Sequence, residues 1–277
     1  MTTKAIGKVG AALSDAPRVV QGVTLKSILQ SQSVKKRFKE VLGKKASGFI
    51  SSILSAVSSN RALAVCDPMS VVASAAVAAS LDLPINSSLG FAHIVPYSGV
   101  AQFQMGWKGF VQLGMRSGQY ETMNAAPVYE GELKRHDRFT GDMEFDEACK
   151  KSNKIIGYLF YFRLLNGYRK FFYMTHDQME IHARRYSKSY ASGKGRWVDD
   201  FEPMALKTVV KLGLSKWGIL SIEMQKAIDF DQATVTEDEK PEYIDTPAFQ
   251  SIESENKETQ TANGAESQQT PTTGGNQ

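Results

Sequence analysis

The chain is 277 residues long, 42% hydrophobic and +4 in formal charge, enough apolar material for one large domain or two small ones. The charge is unevenly spread, because residues 235–277 hold nine acids against Lys240 and Lys257, a balance of −7 that leaves +11 on residues 1–234; a basic globule with an acidic extension is a common footprint of polyanion binding. The longest apolar-leaning run, Met69 to Leu81, falls far short of the roughly 20 residues of a membrane span, and Cys66 and Cys149 sit at no metal-binding spacing.

Residues 1–32 read as a partly ordered N-terminal segment, with Pro17 interrupting any early helix. It shows no apolar h-region followed by a small-residue cleavage site, so the chain is expected in the cytoplasm with reduced thiols. Val34 to Leu42 predicts a short basic helix. Phe49, Ile50, Ile53, Leu54 and Val57 recur at helical spacing and predict a second over Ser47 to Ser59. Asp67-Pro68 puts a capping residue before a first-turn proline and opens an alanine-rich helix to about Leu81.

Strands begin near Gly90. Phe91 to Tyr97 and Val100 to Met105 flank Ser98-Gly99, a two-residue hairpin signal. On the second strand Ala101, Phe103 and Met105 point one way, and Gln102 and Gln104 the other. Trp107 to Ser117 predicts a helix closed by Gly118, and Tyr120 to Tyr129 a further strand. Residues 130–153 read as charged and irregular. Ile155 to Leu165 and Tyr168 to Met174 form a second hairpin around Asn166-Gly167. Thr175 and Gln178 make a capping box for a helix to about Tyr186. A glycine- and serine-rich basic loop follows from Ser187. Asp199 or Asp200 then caps a long helix to about Trp217, and a last helix spans about Ile219 to Phe230.

From Val235 onward, Glu, Gln, Thr, Ser, Gly and Pro with few apolar anchors predict a disordered acidic tail. The expected architecture is therefore α+β: an antiparallel sheet built from hairpins and packed with several helices, within a core domain of residues 33–234.

Three constellations suit a sugar-phosphate backbone. Lys108, Gln112 and Arg116 recur at i, i+4 beside Trp107 and form one polar stripe, with Gln102 and Gln104 on the preceding strand. Gly109 and Gly114 weaken that helix by about 1 kcal/mol each relative to alanine, tolerable where a strand or a nucleic-acid backbone must come close. Lys207 and Lys211 flank the apolar face of the long helix around Thr208, with Lys216 on the opposite flank. Like charges at i, i+4 repel by a few tenths of a kcal/mol, a cost that bound phosphates would reverse. The basic loop adds Arg185, Lys188, Lys194 and Arg196, interleaved with Tyr186, Tyr190 and Trp197; cations neutralise phosphates and aromatic faces stack on unpaired bases.

Enzymatic patterns are weak. Gly109 to Gly114 mimics P-loop glycine spacing, but Met115 stands where lysine is required. The acids Asp137, Asp142, Glu144, Asp146 and Glu147 lack a DxD or HExxH arrangement, and the four histidines share no metal spacing. No catalytic residue, metal or cofactor is assigned.

The stretch PYSGVAQFQMGWKGFVQLGMRSGQY resembles the core signature of the RecT family of phage-encoded single-strand DNA-annealing proteins, within the RecT/Red beta superfamily. DPMSVVASAAVAASLDLPI, APVYEGE and WVDDFEPMALKTVV add collinear matches across roughly residues 30–230. The chain departs from the family in Leu212, where a second basic residue usually follows Lys211, and in KWGILS, which lacks a proline common before the final helix.

The resemblance implies a βββα-type core and ATP-independent annealing of complementary single strands, with strand invasion as a related activity. It also implies a ring or helical filament of identical subunits, a cognate exonuclease and a host single-strand-binding protein as partners, and a bacterial host cell. Single-stranded DNA and the annealed duplex intermediate would lie in one basic groove lined by the constellations above. Replacing Lys207 and Lys211 with alanine is then expected to abolish annealing and leave the fold intact. A passive single-strand-binding protein would suppress pairing rather than accelerate it. A nuclease using the acidic loop would release fragments from end-labelled DNA with magnesium or manganese.

Overall fold

The computed structural model describes residues 24–86, 88–235 and 240–242. The expectations for residues 1–23 and for the acidic tail from residue 243 lie outside the described residues.

Five helices form the N-terminal layer: α1 (Leu25–Gln30), α2 (Gln32–Leu42), α3 (Ala46–Ser59), α4 (Arg61–Ala64) and α5 (Pro68–Ser80). The first two are capped by Thr24 and Ser31, and each of the first three turns one apolar stripe inward, burying Leu29, Phe38 and Ile53. Asp67 Oδ2 accepts the Ser70 amide at 2.8 Å, as the Asp-Pro pair predicts. The small side chains of α5 let it lie directly on the first hairpin. There Ser74 Oγ donates to the Ala101 carbonyl, and Ser70 Oγ accepts the Ala101 amide.

That hairpin is β1 (Ala92–Tyr97) and β2 (Val100–Met105), antiparallel, with His93 opposite Gln104 and Val95 opposite Gln102. Ser98 and Gly99 turn it at positive φ, 48° and 85°, which matches the twist of a two-residue hairpin. α6 (Trp107–Arg116) follows at once. A Cβ on Gly109 would meet the Phe91 carbonyl oxygen at 2.2 Å, so what needs the glycine is a neighbouring protein backbone.

The larger sheet holds β3 (Tyr120–Tyr129), β6 (Ile155–Leu164) and β7 (Arg169–Thr175) in the order β3–β6–β7, all antiparallel. Between β3 and β6, in the stretch expected to be irregular, β4 (Leu133–His136) pairs with β5 (Met143–Phe145). Aromatic contacts hold this short hairpin to the sheet: Phe145 lies 6.2 Å from Phe171 and His136 6.1 Å from Tyr173. The strands therefore divide into separate small sheets.

α7 (His176–Tyr186) opens on the predicted capping box of Thr175 and Gln178. The expected basic loop is instead ordered into α8 (Lys188–Ala191) and α9 (Arg196–Asp199), anchored by the buried Trp197. Trp197, Tyr190 and Phe201 form one aromatic cluster, so Tyr190 and Trp197 are engaged with the core. α10 (Phe201–Trp217) lies across the larger sheet, where a Cβ on Gly213 would meet Phe160 Cδ1 at 2.5 Å. Asp200 occupies the capping position, but its carboxylate turns to Arg196 at 2.6 Å.

α11 (Ile222–Phe230) is capped by Ser221, three residues into the predicted span. The chain then returns along the free edge of β2, with the Gln232 amide donating to the Phe103 carbonyl and Ala233 bridging Phe103. β8 (Thr234–Val235) and β9 (Pro241–Glu242) pair beyond it, so strand pairing reaches past the point where disorder was expected to begin.

Candidate nucleic-acid interface

A cleft of about 720 Å³ opens on the polar face of the β1–β2 hairpin. Cross-strand partners share a face, so His93, Gln104, Val95 and Gln102 form one wall. The second wall is the serine-bearing face of α3, with Ser52, Ser55 and Ser59 and then Asn60. The third comes from the α8–α9 stretch, with Ser187, Ser189, Arg196 and Trp197. Gln102, Gln104 and Arg196, picked from separate sequence constellations, thus meet at one place.

The cleft is electrically mild. Gln102 is only 5% exposed, and its Nε2 has no hydrogen-bond partner among the described residues. Burial, reinforced by the charges of Lys207 and Arg196, pushes His93 down to about 4, so its ring is neutral at neutral pH. Arg196 is paired with Asp200, and Asp199 lies alongside. The start of α6 lies behind His93 of the cleft wall, where a Cβ on Gly106 would lie 3.4 Å from His93 Nε2. Trp107 and Lys108 follow there, the ammonium 5.8 Å from the Trp107 ring centre, with Lys108 exposed.

Other candidates lie elsewhere. Arg116 does not continue a free stripe from Lys108 and Gln112. Its guanidinium donates to the Leu81 and Asp82 carbonyls, both at 2.8 Å, closing the C-terminal end of α5. Lys207, expected on a groove wall, is enclosed: Met204 to Val210 are buried on every side of α10, and the Lys207 ammonium lies 2.7 Å from Asp231 Oδ1. Lys211 reaches Asp231 Oδ2 at 2.9 Å, and the Met105 amide donates to Oδ1. Thr208 is buried too, its hydroxyl donating to the Met204 carbonyl.

Burial pulls Lys207 down to about 8, against the upward pull of Asp231. Burial would push Asp231 up, but the two ammonium groups outweigh it and hold the carboxyl below its ordinary range. The triad thus fastens α10, β2 and the returning chain together. Lys216 lies near Trp217 and Phe172, and Arg185 near Tyr186 and His182. Lys188 and Lys194 are exposed on and just after α8.

Sequence reasoning missed His93, the α3 serines and Asp231. The alternation that exposed Gln102 and Gln104 also places His93 on their face, so that signal was present. Asp231 follows the last helix two residues after Asp229, and nothing local marks its partners 20 and 24 residues upstream. No helix among the described residues is long and apolar enough to cross a membrane.

A protein-family model, the RecT family, matches residues 47–246. "Uncharacterized protein YqaK" of Bacillus subtilis (strain 168) is 51% identical over 231 residues, covering 83% of this chain and 78% of that protein. "Protein RecT" of Escherichia coli (strain K12) is 30% identical over 233 residues, covering 78% of this chain and 83% of that one. The chain belongs to the RecT family, as a DNA-binding, single-strand-annealing protein of DNA recombination.

Proposed function

We propose that the chain anneals complementary single strands without nucleotide hydrolysis or covalent chemistry, using the cleft beside the β1–β2 hairpin and the start of α6 as its DNA-binding surface. The convergence of Gln102, Gln104 and Arg196 on one cleft carries this reading. Two like-charged strands come together only if their backbones are neutralised, which falls to exposed cations around the cleft, Lys108 and Lys194 among them. Pairing supplies the driving free energy, about 1.4 kcal/mol per stacked step, so no other energy source is needed. Gln112 extends the surface along α6. Arg116, Lys207, Thr208 and Lys211 hold the elements that build it.

The core domain of residues 33–234 is read as the annealing unit, assembled into a ring or helical filament on DNA. Strand invasion, a cognate exonuclease and a host single-strand-binding protein belong to the same reading, with the acidic tail as a docking or groove-screening segment. The salt dependence of single-strand affinity tests it. Affinity should fall steeply and linearly on logarithmic axes, with a slope of about −0.7 per phosphate neutralised. A flat response between low and moderate salt would remove the backbone-binding surface.

A further inference from the structure

The far end of α10 gathers exposed aromatic rings and cations without counter-ions. Trp217, the last residue of that helix, is 36% exposed, and Tyr168, immediately before β7, is 43% exposed. Alternation puts Tyr168, Lys170 and Phe172 on the α10 side of the larger sheet, at two-residue intervals of about 6.7 Å. Tyr168 packs 6.0 Å from Phe162, and Phe172 packs 5.5 Å from Trp217. Lys170 and Lys216 bring their ammonium groups to 5.2 and 5.6 Å from the Trp217 ring centre. Lys170 donates to the Thr140 carbonyl and Lys216 is exposed; neither forms an ion pair among the described residues. At the other end of α10, Phe201 packs 5.4 Å from Trp197 of the cleft wall. The helix has 17 residues, so the patch lies about 24 Å along it from that wall.

Two like charges gathered at one ring repel each other, which favours an anion between them. A purely apolar partner does not answer this arrangement, since the cores of protein–protein interfaces are depleted in lysine. An unpaired nucleic-acid strand does answer it, stacking its bases on aromatic faces and setting its phosphates against cations. Resting on the annealing function proposed above, we propose that this patch is a second contact for single-stranded DNA, separate from the cleft. A base stacks at Trp217 and Tyr168, and the adjoining phosphates draw Lys216 and Lys170 off the indole. Stacking makes no use of base edges, so the contact tolerates any sequence and leaves the pairing edges open. A strand held at both places is anchored at two points on one subunit, with the bases between them presented to a complement.

The full-length protein is titrated with a thymidine oligonucleotide and with an abasic one of equal length, which keeps the phosphates and lacks the bases. Trp217→Leu keeps an apolar side chain against Phe172 and removes the aromatic face. It should weaken thymidine-strand binding about tenfold, the effect of losing one stacked base, and leave abasic binding unchanged. Lys216→Ala should weaken both strands and lower the logarithmic salt slope by about 0.7, one phosphate of a single strand. If Trp217→Leu does not fold, Tyr168→Leu at the more exposed ring should give the same base-dependent loss. Unchanged thymidine affinity in the folded aromatic variant would overturn the proposal, as would equal weakening of both strands. A change of oligomeric mass in that variant without DNA would overturn it too, by assigning the patch to a second copy of the chain. A duplex-sensitive dye assay on the wild type separates the two levels. A wild type that binds single strands and accelerates pairing, matched by its variants, overturns the patch alone; a wild type that does neither overturns the function it rests on.

Discussion

Lys207 Nζ lies 2.7 Å from Asp231 Oδ1, with the two side chains 6% and 1% exposed, so a lysine that looks like a phosphate contact is part of the protein's interior. Asp231 also accepts from Lys211 and from the Met105 amide. Removing the carboxylate leaves two ammonium groups uncompensated, and breaking a buried pair in this way costs about 3–5 kcal/mol. Asp231→Ala should lower the urea-unfolding free energy by about that amount. Alanine at both Lys207 and Lys211 strands the buried carboxylate instead, so any loss of annealing in that protein should come with loss of folding, contrary to the expectation from sequence. Lys207→Met alone keeps the Lys211 pair. In the folded fraction its salt dependence of DNA binding should match the wild type; a slope smaller by one phosphate would show that Lys207 reaches DNA.

Two histidines set the acid response. His93 and His182 are both pushed down to about 4, chiefly by burial and then by neighbouring cations, Lys207 and Arg196 for the first and Lys211 and Arg185 for the second. Between pH 6.5 and 4 the unfolded chain binds protons that the folded chain does not. This contribution is therefore fully present above pH 6.5 and is lost as pH falls through 4, by up to about 3 kcal/mol per histidine. Urea midpoints at pH 7.5 and 4.5 should differ much less for a His93→Gln, His182→Gln protein than for the wild type. Parallel profiles would contradict the assignment.

Close approach explains the glycines of α6 and α10. Gly109→Ala forces a Cβ against the immobile Phe91 carbonyl, and Gly213→Ala forces one against the Phe160 ring. Each should lower stability by about 1–3 kcal/mol, the usual range for overpacking, with Gly109→Ala the worse. Gly48 in α3 has nothing within 4 Å of its would-be Cβ. Gly48→Ala should stabilise by about 0.5–1 kcal/mol through helix propensity. Thermal melts of the three variants check the ordering.

Arg116 and Lys108 share a helix but should behave oppositely. Arg116→Ala removes two hydrogen bonds to the end of α5 and should lower the melting temperature without changing the salt slope of DNA binding. Lys108→Ala should leave melting unchanged and reduce the slope by about one phosphate. A reversed pattern would mean that Arg116 faces DNA.

Most element boundaries were legible because they rest on local chemistry. Asp67-Pro68, the Thr175–Gln178 box and the Ser98-Gly99 turn all act within a few residues, and each appears where its chemistry places it; the Asn166-Gly167 hairpin is also present, but its connection is longer than two residues and only Gly167 takes positive φ. What failed was long-range. The β4–β5 hairpin is held by Phe145 and His136 against residues of β7, contacts that no local pattern encodes. The basic loop became α8 and α9 because Trp197 found a core to enter. Of the site, alternation along β2 revealed Gln102 and Gln104. The helical wheel put Lys207 on a groove wall because it knows nothing of Asp231; Arg116 is exposed, as the wheel has it, but its guanidinium is engaged by the Leu81 and Asp82 carbonyls at the end of α5.

The activity proposed for this protein is acceleration of pairing with no energy source beyond base pairing itself. Complementary oligonucleotides mixed with a duplex-sensitive dye, in the absence of nucleotide, test it most directly. Duplex formation should run well above the spontaneous rate when the protein is present, with no further gain when ATP is added. Suppression of pairing, the behaviour of a passive coat on single strands, would contradict it.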